Sequence, residues 1–184
     1  MLHRLKLHPD SRCAAVSRIE VEAMRLGGSG LALSFAVTGA TGGLRLPPPA
    51  APERTDGLWQ QTCFEAFLRE PAGDAYYEFN LAPSTQWAAY AFDGYREGMR
   101  AAKGFGAPDI QIRCGGGGFE LRALLDLDGL PDFVPQAACR LGLSAVIEET
   151  DGSKSYWALA HPPGQPDFHH SDCFALELPA ALRP

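Results

Sequence analysis

Apolar and polar residues alternate with a period of two over most of the chain, the spacing that sends successive side chains to opposite faces of a strand. Strands are predicted at Leu2–Leu7, Val16–Leu26, Leu31–Thr38, Leu58–Arg69, Ala75–Leu81 and Trp87–Phe92. The second half adds Asp109–Cys114, Phe119–Asp126, Cys139–Glu149, Ser155–Ala160 and Cys173–Leu178. Turn residues separate them: Gly27-Gly28-Ser29-Gly30, Pro47-Pro48-Pro49, the run Gly115 to Gly118, Asp151-Gly152 and Pro162-Pro163-Gly164. Many short strands between such turns predict an all-β fold, an antiparallel sandwich or barrel, rather than alternating βα units. Helical spacing is scarce. Asp93–Lys103 is expected as a short turn or helix, and Thr41–Asp56, rich in Gly and Pro, as a long loop.

At 184 residues the chain is most economically one domain spanning 1–184, long enough to bury a core. The net charge of −6 and the lack of any basic run argue against a nucleic-acid partner. The N-terminal MLHRLKLHPDSRC alternates polar and apolar residues instead of forming the apolar core of an export signal. No later run is apolar enough to span a bilayer, so a soluble, cytoplasmic protein with no membrane partner is expected. The five cysteines, Cys13, Cys63, Cys114, Cys139 and Cys173, are odd in number, scattered and without a C-x-x-C pair. They read as small core residues rather than a disulfide framework or a zinc ribbon.

The densest chemistry lies between Gly57 and Tyr95. Alternation in Leu58–Leu68 places Phe64, Ala66 and Leu68 on one face and Trp59, Gln61, Cys63 and Glu65 on the other. In the next strand Tyr77, Phe79 and Leu81 oppose Tyr76, Glu78 and Asn80. If the apolar faces meet in a core, Glu65, Glu78 and Asn80 share the outer face of one sheet, with Trp59 and Tyr76 at its ends and Trp87 just beyond the following turn. Aromatic rings beside hydrogen-bonding carboxylates and amides suit a small polar ligand with apolar faces, above all a sugar ring. The same pattern is open to two other readings: a solvated sheet face with aromatic cross-strand pairs, or a catalytic carboxylate pair flanking a glycosidic bond.

These residues resemble the family 9 carbohydrate-binding modules and the wider DOMON-like superfamily. The matching stretches are LWQQTCFEAFLRE, against an L-W-x-x-x-x-x-E-x-F strand, and YYEFNLAPSTQWAAY, against Y-x-E-F-x-x-x-P. The later Ser155-Tyr156-Trp157-Ala158-Leu159-Ala160-His161-Pro162 and the run to Cys173-Phe174-Ala175-Leu176 are similar to a stand-alone bacterial subgroup of that superfamily. The resemblance implies an antiparallel β-sandwich of two sheets and ten to eleven strands that binds its ligand on a concave face. It implies a ligand role for Trp59, Glu65, Glu78 and Asn80, with Trp87 or Trp157 as the second of two clamping tryptophans. Other relatives bind haem through Met and His; Met24 and Met99 are the internal methionines here.

Elsewhere the chemistry is thinner. HPPGQPDFHHSDC, residues 161–173, concentrates His161, His169, His170, Asp172 and Cys173, but its spacing matches no defined metal site. It is expected to be a surface loop closing over one end of the sandwich. Gly115 to Gly118 lacks the Lys-Ser/Thr of a phosphate loop and reads as a hairpin. No G-x-S-x-G elbow occurs, and Cys63 has no neighbour that would activate it as a nucleophile. The expectation is therefore a non-enzymatic domain that binds a small molecule, a saccharide or related polyol, with no catalytic residue, metal or cofactor. A haem or redox-cofactor domain of the same fold is the alternative, and a sugar-active enzyme using Glu65 and Glu78 a third.

Overall fold

The computed structural model describes residues 1–180 and contains thirteen strands and three short 3-10 turns. The strands are β1 (Leu2–Arg4), β2 (Lys6–Leu7), β3 (Val16–Arg25), β4 (Gly30–Gly39), β5 (Cys63–Arg69), β6 (Tyr76–Leu81), β7 (Trp87–Phe92), β8 (Arg100–Ala101), β9 (Asp109–Gly115), β10 (Gly118–Asp126), β11 (Cys139–Glu148), β12 (Lys154–Ala158) and β13 (Leu176–Leu178). They form a five-stranded sheet, β1-β3-β4-β10-β9, and an eight-stranded sheet, β2-β12-β11-β5-β6-β7-β8, in which β13 also pairs with β11. Every ladder is antiparallel. The architecture is the two-sheet β-sandwich that the alternation and the resemblance imply.

The core lies between the sheets. Phe64 of β5 reaches across to Phe35 of β4, ring centres 5.0 Å apart, and to Phe119 of β10 at 5.9 Å. Ala66, Leu68, Phe79 and Leu81 point the same way and are sealed from solvent. The inward and outward faces of β5 and β6 are thus those read from the alternation, because one residue in two must carry the apolar surface that the other sheet covers.

Three segments depart from the predicted strands. Leu2–Leu7 is divided: β1 pairs with β3 in the smaller sheet, and β2 pairs with β12 in the larger one. Leu5, buried at the crossing, joins the core between them. Leu58–Gln60 is a 3-10 turn after Gly57, whose φ of 78° is left-handed, and β5 starts only at Cys63. A strand there lacks partners. The β6 ladder ends at the Phe64–Leu81 pair just short of Pro83, and the Glu148 N–H of β11 donates to the Thr62 hydroxyl. At the far end, Ser171–Cys173 is a 3-10 turn, leaving only Leu176–Leu178 as strand. Asp93–Lys103 contains a turn and the two-residue β8, with no helix. Of the cysteines, Cys63, Cys139 and Cys173 are buried, whereas Cys13 is half-buried and Cys114 exposed; all five are free. No helix among the described residues is long and apolar enough to cross a membrane.

Candidate functional site

The outer face of the larger sheet is covered rather than bare. Residues 159–175 run across it as a strap, and Phe168 and Phe174 pack onto Phe67, Tyr76, Tyr90, Phe92 and Val146 in a second apolar cluster. Gly142 of β11 makes this close approach possible: a Cβ there would stand 3.1 Å from the Cys173 carbonyl oxygen. Cys173 Sγ donates to the carbonyls of Ala160 and Asp167 at 3.3 and 3.1 Å, tying the strap to itself. The loop singled out by its histidines therefore lies over the sheet face and not over an end of the sandwich. Among the described residues, no group of three His, Cys, Asp or Glu side chains is placed to hold a metal ion.

Between the strap, the turn at Leu58–Gln60 and the bend at 93–99 lies a cavity of about 420 Å³. Its floor carries Glu65 of β5 and Glu78 of β6, only 3% and 5% exposed. Its walls carry Trp59, Phe92, Tyr156 and Phe168, and Gln60, Arg96, Met99, Lys154 and His169 complete the polar and flexible part of the lining. Trp59, 39% exposed, stands edge-on to Tyr90 with ring centres 6.0 Å apart. Tyr90 is itself fixed by a 2.6 Å hydrogen bond to Asp56.

Each floor carboxyl is held by the sheet through one oxygen. Ser144 Oγ donates to Glu65 Oε2 at 3.3 Å, and Asn80 Nδ2 donates to Glu78 Oε1 at 2.6 Å. Glu65 Oε1 and Glu78 Oε2 have no hydrogen-bond partner among the described residues and are not sealed from the cavity. Burial disfavours charge on both groups. Loss of solvation, and then the neighbouring Glu78, push the Glu65 carboxyl well above the usual range. Burial likewise lifts Glu78 to about 7, against the opposing pull of Asn80 and Arg96.

A hydrogen-bonded chain borders Glu78. The Arg96 N–H donates to Tyr76 Oη at 3.2 Å, and Tyr76 Oη lies 2.7 Å from His169 Nδ1. The simplest network has the phenol donating to Nδ1, which puts the imidazole proton on Nε2, 3.8 Å from Glu78 Oε2. Burial, aided by the Arg96 charge, lowers His169 to about 4, so the imidazole is uncharged at neutral pH, where Glu78 is only partly ionised. Arg96 occupies a left-handed backbone conformation, φ 57°, that aims its amide at Tyr76. Its guanidinium pairs with Asp167 of the strap at 2.8 Å. Although burial alone would raise it, hydrogen bonds from Tyr95 and Arg96 hold Asp167 below the ordinary carboxylate value.

Of the six residues singled out from the sequence, Trp59, Glu65 and Glu78 line this cavity. Asn80 lies on the same face but fully buried, its amide on Glu78 and its carbonyl accepting from Cys63 Sγ at 3.6 Å, so it positions Glu78 from behind. Trp87 and Trp157 are elsewhere. Both belong to the core between the sheets; Trp87 packs against Phe105 at 5.5 Å and Trp157 donates to Ser155 Oγ at 3.0 Å. Neither can clamp a ligand beside Glu65, because each sits in register with the core-facing positions Leu81 and Ala145. The alternative reading of a solvated outer face does not hold, because the strap covers that face. Phe92, Arg96, Tyr156, Phe168 and His169 were not read as site residues. Tyr156 was open to inference, since the neighbour of an inward Trp157 must point outward.

The fold and this floor-and-wall cavity define a β-sandwich with a recessed polar site on one sheet. The fold is that of the family 9 carbohydrate-binding modules. Among solved structures the chain is similar to a Bacteroides uniformis protein whose name proposes carbohydrate binding, with a TM-score of 0.67 and 13% identity over 94% of this chain and 83% of that one. It is also similar to a family 9 carbohydrate-binding module of Caldicellulosiruptor kristjanssonii in complex with cellotriose, with a TM-score of 0.53 and 12% identity over 89% and 74% of the two chains. At such identities the likeness is one of fold. No protein-family model matches the chain, and no curated protein does.

Proposed function

We propose that this chain is a non-enzymatic binding protein for a saccharide or related polyol, taken into the cavity on the outer face of the larger sheet. One observation carries the reading: two buried carboxyls, each anchored by one oxygen and turning the other into an aromatic-walled cavity. Open to the cavity and bonded to nothing in the sheet, those two oxygens are placed to accept from a ligand's hydroxyl groups. Trp59 and Tyr156 supply the apolar surface on which the C–H face of a sugar ring packs. The cellotriose complex of the similar module supports the same ligand class. DOMON-like kinship rests on the two strand motifs around Glu65 and Glu78.

The test is titration calorimetry with glucose, cellobiose and cellotriose on the parent protein and on Glu65→Gln. Saturable binding that weakens in the variant is expected. Absence of binding to every sugar, in a protein that melts normally, overturns the reading.

A haem suits these residues poorly. Met99 and His169 line the same cavity, but the nitrogens of His169 face Tyr76 and Glu78, and two carboxyls occupy the floor that a porphyrin face would cover. A Soret band in the freshly purified protein would reverse that judgement. Catalysis is the second reading, favoured by one feature: two carboxyls share the floor of one cavity, the residue types that flank the scissile bond in glycoside hydrolysis.

A further inference from the structure

We propose that the ligand of this cavity bears a free ammonium group, as an amino sugar does, and that Glu65 and Glu78 seat that group between their inward-facing oxygens. The proposal rests on the saccharide reading above and narrows it.

A neutral polyol can use this floor but does not need two acids there: an amide oxygen also accepts from a hydroxyl, more weakly than a carboxylate but without the cost of burying charge. Here two acids stand on the same face of adjacent strands, two pairs apart in the β5–β6 register, where Glu78 makes Glu65 harder to ionise. Among the described residues no Lys or Arg lies within ion-pair distance of either carboxyl. Arg96, the cation in the lining that influences both, is already engaged by Asp167 at 2.8 Å. Lys154 is on the exposed side of the cavity. The imidazole of His169 is neutral and cannot balance the pair. The floor is thus an acidic site whose counter-charge the protein does not provide.

A ligand ammonium provides it. It donates up to three hydrogen bonds, enough to meet both free carboxyl oxygens at once, and its charge makes ionisation of the two acids favourable where burial had made it costly. Aromatic walls add to this, since the rings of Trp59, Tyr156, Phe92 and Phe168 favour a cation over an anion. A uronic acid, by contrast, brings a third carboxylate to the pair. The volume of about 420 Å³ is in the range of small-molecule sites and leaves room for a ring behind the amine.

The experiment compares matched sugars that differ in one substituent: glucose, glucosamine, N-acetylglucosamine and glucuronate, with cellobiose and its diamino and di-N-acetyl counterparts as the disaccharide set. Calorimetry at neutral pH is expected to show the free amine binding about tenfold or more tightly than the hydroxyl or the acetamide, the difference between a charge-assisted and a neutral hydrogen bond. Glucuronate is expected to bind most weakly. In Glu65→Gln and in Glu78→Gln the amine's advantage should fall to a few-fold or less while the glucose affinity changes much less. If hydroxyl and amine sugars bind equally, the amine inference fails and the saccharide reading stands. If no sugar binds, with or without an amine, both fail. Putrescine, an amine without a ring, is expected to bind far more weakly than glucosamine; equal binding would show that the polyol plays no part and would overturn the proposal as stated.

Discussion

Glu78→Gln is expected to stabilise the ligand-free protein at alkaline pH and to do little at acid pH. The carboxyl of Glu78 is raised from an ordinary 4.5 to about 7, chiefly by burial. An acid whose pKa rises on folding holds its proton more tightly in the folded state. Folding therefore takes up a proton between these two values, and stability falls as pH rises through that window. The rise corresponds to about 3 kcal/mol, absent below pH 4.5 and fully expressed above pH 7. Glutamine keeps the carbonyl oxygen that Asn80 bonds and never ionises, so it escapes that cost. Removing the charge also relieves Glu65, which Glu78 pushes upward, in the same direction. Other groups titrate in the same range. His169, lowered to about 4, makes stability rise with pH between 4 and its ordinary 6.5, and so opposes Glu78 in the parent. The informative quantity is consequently the difference between variant and parent, in which His169 cancels to first order. For a chain of this length each kcal/mol moves the melting temperature by about 2–4 °C. The variant-minus-parent difference should increase by about 6–12 °C between pH 4.5 and pH 8. Differential scanning calorimetry in matched buffers reads it directly. A difference that is constant with pH, or that shrinks towards alkaline pH, would mean that Glu78 is ionised and satisfied in the folded protein, and the reasoning about its burial would be refuted.

Three further outcomes follow from the same structure. Phe79→Ala should destabilise by about 3–5 kcal/mol at every pH, because Phe79 is fully buried between the sheets beside Phe105, 4.7 Å away; denaturant unfolding measures it. Ligand binding should shift tryptophan fluorescence through Trp59 alone, so Trp59→Phe should abolish the response while Trp87→Phe, a change within the core, retains it. The parent should not hydrolyse aryl glycosides; turnover above background that disappears in Glu65→Gln would favour the catalytic reading instead.

Local alternation determined much of this molecule. The bounds of Trp87–Phe92 are those read from the sequence, and β3, β4, β6, β9, β10 and β11 differ from theirs by a single residue at one end or at both. Phe64, Ala66, Leu68, Phe79 and Leu81 face the core, with Glu65, Glu78 and Asn80 on the opposite side, because a two-residue period separates two faces whatever surrounds them. That period says nothing about what covers a face. The strap at 159–175 has no periodicity and buries the carboxyls by lying across them, which turns an apparently solvated patch into a cavity floor with displaced proton equilibria. Nor does it assign faces where both are apolar. Every residue of β7 is buried, so Trp87 and Phe92 read alike, and only the sandwich decides that the first enters the core and the second lines the cavity. The division of Leu2–Leu7 between two sheets, and the late start of β5 after Leu58–Gln60, have the same origin. A strand ends where its neighbours stop offering hydrogen bonds, and those neighbours are distant in the chain.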